Sequence, residues 1–262
     1  MTKKSSSRGL DAFNHYFQPI YGERWPTLLE ALQKPSTHFA LESPFTSKTY
    51  HLDEASVIAA GALPIKPGDR VLDMCAAPGG KALTLLFRAD SSNHFVLNER
   101  SATRRGRLQK VLSDYLGATH GFDIKVSGHD ATKWCLYEKD AYNAILLDAP
   151  CSSERHLLEK PALMKEWSAH RTKVLALQQF AMLASAGDAI KVGGHILYAT
   201  CSISPAENDD VIAKLLKRRE QFEVVPIQFD KGEATPHGWI FLPDASGIGP
   251  LYVSLVRRNP TQ

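Results

Sequence analysis

Two cysteines in this chain stand just beyond short apolar runs. Asp148-Ala149-Pro150-Cys151-Ser152 follows the run 144–147, and Ala199-Thr200-Cys201-Ser202 ends the run 196–199. A thiol where a strand gives way to a loop is placed to react rather than to fill a core. A pair of them suits addition to an electron-poor ring. Cytosine C5 is a poor nucleophile, and methylating it requires a thiolate to add first at C6, which turns C5 into an enamine carbon able to attack a methyl sulfonium. A carboxyl beside the base eases addition by giving N3 a proton or hydrogen bond as charge builds on the ring, and Asp148 is placed for that. The C5 proton must then leave and the thioether must break, so a second basic group near C5 is useful. Cys151 can serve there, directly or through water. The base must also leave its stack, which favours loops and unpaired RNA.

A second constellation lies upstream. The run 71–73 enters Cys75-Ala76-Ala77-Pro78-Gly79-Gly80-Lys81, where small residues let the backbone approach a ligand at a helix start. A bound nucleoside is the natural reading. Glu99 ends the next run, where a carboxylate can accept from both ribose hydroxyls, and Asp130 closes the third and reaches toward an adenine amino group. All three signals fall at carboxyl ends of successive strands, the edge where open α/β sheets bind ligands. The loop does not read G-x-G-x-x-G, so a nicotinamide dehydrogenase fits poorly. A metal held by three thiolates lacks the Cys-x-x-Cys or His-x-x-x-His spacing that would support it, and none is expected. A hydrolase pairing Cys151 with His156 would leave Cys201 and the glycine loop unexplained. The fourth cysteine, Cys135, reads as a small apolar core residue.

The elements that must position these groups follow from hydrophobic periodicity. Strands are expected at 70–74, 94–98, 124–127, 143–147 and 195–200, with helices beginning near Lys81, Thr103, Trp167 and Pro205. The third helix shows Val174, Leu177, Phe180 and Ala184 at helical spacing until Gly193 and Gly194 end it. Alternation of this kind builds an α/β, doubly wound, mostly parallel sheet. In the usual strand order the fourth strand lies between the first and fifth, so Cys75, Cys151 and Cys201 would converge. Residues 1–63 lack the alternation and read as a small helical N-terminal extension with a helix at 53–61; residues 64–262 form the catalytic domain. Strands at 222–227 and 251–256 are expected to close the sheet edge as an antiparallel pair.

With 262 residues, 44% hydrophobic and 23% charged, the composition is globular, and no apolar stretch approaches the ~20 residues of a membrane span. The basic, Ser-rich start lacks the apolar block of a secretory signal. Four cysteines fit a reducing compartment, and the net charge of +3 is compatible with an RNA partner but too mild to require one.

The chain resembles the Sun-type RNA cytosine-5 methyltransferases, which share Asp-x-Cys-Ala-Ala-Pro-Gly-Gly-Lys, Asp-Ala-Pro-Cys-Ser and Thr-Cys-Ser. The likeness spans roughly 63–258 and takes in Pro205-Ala206-Glu207-Asn208 and Gly249-Pro250-Leu251-Tyr252. It implies a Rossmann-like fold, S-adenosylmethionine as cofactor, a covalent bond from Cys201 and product release assisted by Cys151. By the same resemblance Cys75 to Lys81, Glu99, Asp130 and Asp148 surround cofactor and base, and Arg104 falls at a cofactor-side arginine. Its alternative is a solvated helix face with Arg105, Arg107 and Lys110. Arg155-His156, the compact length and the ending look most like the mitochondrial ribosomal-RNA member, making rRNA the expected substrate. Some 60 N-terminal residues leave no room for the separate RNA-binding domain of many bacterial relatives, so an accessory RNA-binding protein or a ribosomal particle is the expected partner. A bacterial chain would be cytoplasmic; a trimmed eukaryotic one fits mitochondria. A tRNA methyltransferase and an idle RNA-binding assembly factor are the alternatives. DNA methylation fits less well, since that class generally uses the Pro-Cys thiol and lacks a Thr-Cys partner. Lys214, Lys217, Arg218 and Arg219 read more readily as a solvated helix face than as a phosphate track.

Overall fold

The computed structural model describes residues 9–117, 121–165 and 167–260; the basic start lies outside them. Helices α1 (Leu10–Tyr21) and α2 (Trp25–Gln33) open the chain. An antiparallel hairpin, β1 (His38–Glu42) and β2 (Thr49–Asp53), follows them, so the N-terminal segment is not wholly helical as expected. The Asp53 side chain accepts from Ala55 N and caps α3 (Glu54–Gly61).

Strand and helix then alternate: β3 (Arg70–Asp73), α4 (Gly80–Leu86), β4 (His94–Asn98), α5 (Ala102–Leu116), β5 (Asp123–Ser127) and β6 (Tyr142–Asp148). Short helices α6 (Glu154–Leu158) and α7 (Pro161–Met164) lead into the long α8 (Ala169–Ala189), followed by β7 (Ile190–Thr200) and α9 (Asp209–Arg218). The end of the chain is β8 (Phe222–Val225), β9 (Glu233–Thr235), β10 (Gly238–Phe241), α10 (Pro243–Ser246) and β11 (Leu251–Arg258). The large sheet runs β5-β4-β3-β6-β7-β11-β10-β9, parallel through its first five strands and antiparallel beyond β7. β6 thus lies between β3 and β7, the expected order.

Apolar runs such as Ala144, Ile145, Leu146 and Leu147 are completely buried because helices cover both faces. Alternate residues feed two cores: Leu72, Ile145, Leu147 and Tyr198 on one face, Val71, Leu146, Leu197 and Ala199 on the other. The N-terminal aromatics belong to the first core. Phe17 is fully buried, 4.8 Å from the Phe13 ring, 5.2 Å from Trp25 and 6.1 Å from Trp167.

Two expectations are corrected, and a hairpin is added. Gly193 and Gly194 do not stop α8, which ends at Ala189; they sit inside β7 where its register with β6 shifts. Gly193 takes φ 81°, and a Cβ on Gly194 would come within 2.8 Å of the Asn143 carbonyl. Val174 and Leu177 share a helix but are exposed; α8 buries Thr172, Gln179, Met182, Leu183 and Ala186 instead. The Gly- and Pro-rich stretch before β11 holds the extra hairpin β9–β10. β8 pairs with β11 as expected, and β11 itself lies against β7.

Removing the Phe17 ring leaves a void among five aromatic neighbours, Phe13, Tyr16, Tyr21, Trp25 and Trp167. Phe17→Ala should destabilise the protein by about 3–5 kcal/mol, read as a lower urea midpoint with unchanged slope.

Candidate active site

Parallel register sets the site. Asp148 lies opposite Ala199, and Ala149 N donates to Ala199 O at 2.9 Å, so the loops leaving β6 and β7 start side by side. Cys151 Sγ and Cys201 Sγ come to 2.9 Å, both free thiols, and Ser153 Oγ lies 2.9 Å from Cys201 Sγ. Ser153 reaches this place with φ 53° and ψ 62°. That left-handed conformation costs a non-glycine residue on the order of 1–3 kcal/mol and is typical of residues held for function.

Hydrogen bonds from Cys151 and then Ser153 pull the Cys201 thiol below its usual range; the Lys81 ammonium adds to this, while burial and Asp148 oppose it. Cys151 is pushed well up, first by its bond to Cys201 and then by burial. Within the pair, ionisation therefore favours Cys201 over Cys151. Lys81 Nζ donates to Asp148 Oδ2 at 2.8 Å. Burial disfavours the ammonium, but the Asp148 charge and hydrogen bond more than offset it, and its pKa is raised.

Two chambers meet here. One, of about 240 Å³, is lined by Cys201, Ser153, Lys81, Asp53, Arg155 and Pro250, among others. The second, of about 140 Å³, is walled by Asp73, Cys75, Ala76, Ala77, Pro78 and Gly80, with Lys81 and Asp148 closing it. Lys81 and Ser56 line both. The second chamber has the features a nucleoside sulfonium needs. A Cβ on Gly80 would lie 3.0 Å from the Leu52 and Tyr50 side chains, and Gly79 holds φ 124° with Val111 only 2.8 Å from where a Cβ would be. The Asp148 carboxylate supplies negative surroundings for a cationic sulfur. Asp73 is buried and pushed up to about 8, mainly by burial and then by Asp148, and accepts from Cys75 N at 3.1 Å. These residues fit S-adenosylmethionine.

The other expected residues are placed unequally. Glu99 is 5% exposed; its Oε1 accepts from Ser101 N at 2.8 Å and its Oε2 lies 3.3 Å from Arg104. Arg104 also donates to Ala77 O at 2.7 Å, tying α5 to the glycine loop rather than simply facing solvent. Arg105 donates to Glu99 O at 2.8 Å. Asp130 lines neither chamber: it caps the turn 131–136 through Thr132 and lies 3.4 Å from Arg100. Of the three thiols expected to converge, Cys75 stands apart in the second chamber, its thiol raised by burial and then by Asp73. Cys135 is half-buried rather than a full core residue, and its N–H donates to Ser185 Oγ at 2.8 Å. His156 lies 3.9 Å from Glu159 while Cys151 meets Cys201 and Ser153, so no Cys-His hydrolase pair forms. Lys214 and Arg218 lie over the Phe180 ring and Arg219 pairs with Asp188 at 2.6 Å, anchoring α8. Sequence reasoning missed Ser153, whose place two residues beyond Cys151 was the available signal, and Asp53, Ser56, Tyr50 and Arg155, which long-range packing brings in.

A doubly wound sheet with antiparallel final strands and a small-residue loop at the end of β3 defines a Rossmann-like methyltransferase. Residues 60–257 match the family model described as 16S rRNA methyltransferase RsmB/F, and the chain belongs to that family of S-adenosylmethionine-dependent RNA cytosine-5 methyltransferases. It is 38% identical over 167 residues to 5-cytosine rRNA methyltransferase NSUN4 of Mus musculus, covering 62% of this chain and 44% of that protein. It is 36% identical over 223 residues to the mitochondrial tRNA (cytosine(34)-C(5))-methyltransferase of Danio rerio, covering 80% and 60%. The chain thus spans about half the length of the curated relatives it matches. Among solved structures, NSun6 from Pyrococcus horikoshii with SFG superposes with TM-score 0.71 at 24% identity, covering 81% of this chain and 54% of that one, a likeness of fold. Among the described residues no group of three or more His, Cys, Asp or Glu could hold a metal ion, and no helix is long and apolar enough to cross a membrane.

Cys151→Ala and Ser153→Ala each remove a hydrogen bond that favours the Cys201 thiolate. The pH midpoint for alkylation of Cys201 by iodoacetamide should therefore move upward in both variants, which peptide mass spectrometry measures.

Proposed function

We propose that the chain transfers a methyl group to C5 of a cytosine in ribosomal RNA through a covalent Cys201–C6 adduct. The observation that carries this reading is the Cys201–Cys151–Ser153 cluster, whose Cys201 and Ser153 line the first chamber together with Lys81, the residue that also lines the second and bonds Asp148. S-adenosylmethionine, held by Cys75 to Lys81 with Glu99, Arg104 and Asp73, supplies an electrophilic methyl group. Asp130 is assigned to the adenine end from sequence, although its carboxylate is engaged with Thr132. Cys201 adds to C6 as thiolate while the Asp148–Lys81 pair hydrogen-bonds the pyrimidine and offsets charge arriving on the ring. Bonding to C6 consumes the charge on Cys201 that holds Cys151 protonated. Cys151 then gives up its own proton to solvent water, and the resulting thiolate takes the C5 proton, directly or through water, as the Cys201–C6 bond breaks and its electron pair returns to Cys201 as thiolate. Ribosomal RNA as substrate is supported by NSUN4; the Danio rerio relative supports tRNA as the second reading.

Purified protein with labelled S-adenosylmethionine and total RNA from cells lacking the gene should deposit 5-methylcytosine in rRNA. Cys151→Ala should accumulate a denaturation-resistant RNA adduct that vanishes when Cys201 is also replaced. Label confined to tRNA would transfer the assignment to tRNA, and no label in any RNA would end it.

Arg155 is the cation expected to meet the RNA backbone. It lines the first chamber, its Nε is buried without a partner, and its nearest polar contact is the Lys34 carbonyl at 3.5 Å. Arg155→Met should raise KM for RNA about tenfold with kcat nearly unchanged, and lower the slope of log affinity against log salt by about 0.7.

A further inference from the structure

Behind the two thiols lies a buried carboxyl pair with no part in the chemistry above. Glu154, the first residue of α6, and Glu207, beyond β7, are both 0% exposed. Ser152 Oγ contacts Oε1 of both, 2.5 Å from that of Glu207. Ser202 Oγ lies 3.0 Å from Ser152 Oγ, 3.3 Å from Glu154 Oε1 and 3.2 Å from Glu207 Oε1. The outer oxygens are held by N–H donors: Ile203 N to Glu154 Oε2 at 3.1 Å, and Ser152 N and Gln179 Nε2 to Glu207 Oε2 at 3.0 and 2.7 Å.

Proton counting constrains this cluster. Four oxygens make five mutual contacts, yet two hydroxyls bring only two protons. Among the described residues neither carboxyl pairs with a Lys, Arg or His. The remaining neighbours are neutral: the Tyr198 hydroxyl donates to Glu207 O from β7, Tyr16 and Tyr21 on α1 bond Ser204 and Ile203 O, and Cys151 is the protonated thiol of its pair. Two bare carboxylates sharing one serine without a cation is the arrangement that forces one of them to keep a proton.

We propose that Glu154 is a neutral carboxylic acid whose proton reaches Glu207 through Ser152, and that this shared proton clasps the Cys151 and Cys201 loops together. Glu154–H donates to Ser152 Oγ, and Ser152 donates in turn to the Glu207 carboxylate. Five of these bonds join residues 152–154 to 202–207, from Ser152 N and Oγ to Glu207, Ser152 Oγ to Ser202, Ser202 Oγ to Glu154 and Ile203 N to Glu154, so the clasp holds Ser153 and both sulfurs in place without touching substrate. Glu154 is a positioning residue. Burial and then the Glu207 charge push it up to about 7, within reach of ordinary pH. The sign follows: an acid whose folded pKa exceeds its unfolded value stabilises the fold at low pH, and that contribution is lost as pH rises from about 4.3 toward 7. Above about 7 the folded clasp carries two negative charges.

The catalytic consequence rests on the reading of Cys201 as nucleophile, but the clasp is testable without RNA. Wild type, Glu154→Gln and Glu207→Gln are compared by chemical denaturation from pH 4.5 to 9 and by iodoacetamide labelling of Cys201. Wild type should lose up to tenfold in folding equilibrium per pH unit between about 4.3 and 7, and its Cys201 labelling should show a second inflection near 7. Glu154→Gln, which donates a hydrogen bond but cannot ionise, should lack both. Glu207→Gln removes the repelling charge and should move both to lower pH, which keeps the test decisive if the first variant folds poorly. The proposal is overturned if neither variant alters the pH dependence of wild type. If both do while no RNA is methylated, the clasp stands and the assignment of the reaction falls.

Discussion

Parallel pairing of β6 with β7, with Asp148 across from Ala199, decides where every reactive group ends up. Adjacent parallel strands lie about 4.8 Å apart, so two loops leaving them in matched register begin within side-chain reach of each other. Three residues beyond Asp148 and two beyond Ala199 the chain places a cysteine, and the sulfurs meet. A register shift of one residue would turn Leu147 and Tyr198 from one core to the other and separate the thiols, which is why the buried alternation on these strands is also a constraint on chemistry.

Charge is distributed over this framework so that few groups are left uncompensated. Cys201 is lowered by two hydrogen-bond partners and Lys81; Lys81 is shared with Asp148; Asp73 stays largely neutral beneath the glycine loop. Desolvation strengthens each of these interactions and would penalise any one of them standing alone. Arg155 has no ion pair among the described residues and leaves its Nε unpartnered, with Asp53 and Glu159 acting on it only from a distance, and it faces the chamber where a polyanion would enter.

Much of this was legible in the residues themselves. The β3, β4, β6 and β7 cores announce themselves by apolar runs, and the glycine loop, Glu99 and both cysteine motifs by their places at strand ends. What stayed hidden depends on contacts distant in sequence. Nothing local tells that Asp53 and Ser56 wall a chamber facing Cys201, because the N-terminal hairpin reaches it only by packing on α4 and the β11 entrance. Val174 and Leu177 misled because helical spacing shows that a face exists without showing that a partner covers it. Gly193 and Gly194 misled because a positive φ serves a strand bulge as well as a helix stop. The Glu154–Glu207 pair was invisible since an isolated glutamate in a loop reads as surface.

The placement of β11 sets a condition on when the site can exist. Gly249, Pro250 and Leu251 form part of the wall facing Cys201, the Gly249 N–H is taken by Asp53, and β11 seals the flank of β7. During synthesis the parallel strands and both thiols emerge long before that wall does. A chain synthesised only through β7 therefore exposes the flank of that strand and an unfinished chamber, and the wall facing Cys201 closes only once residues 249–258 have joined the sheet.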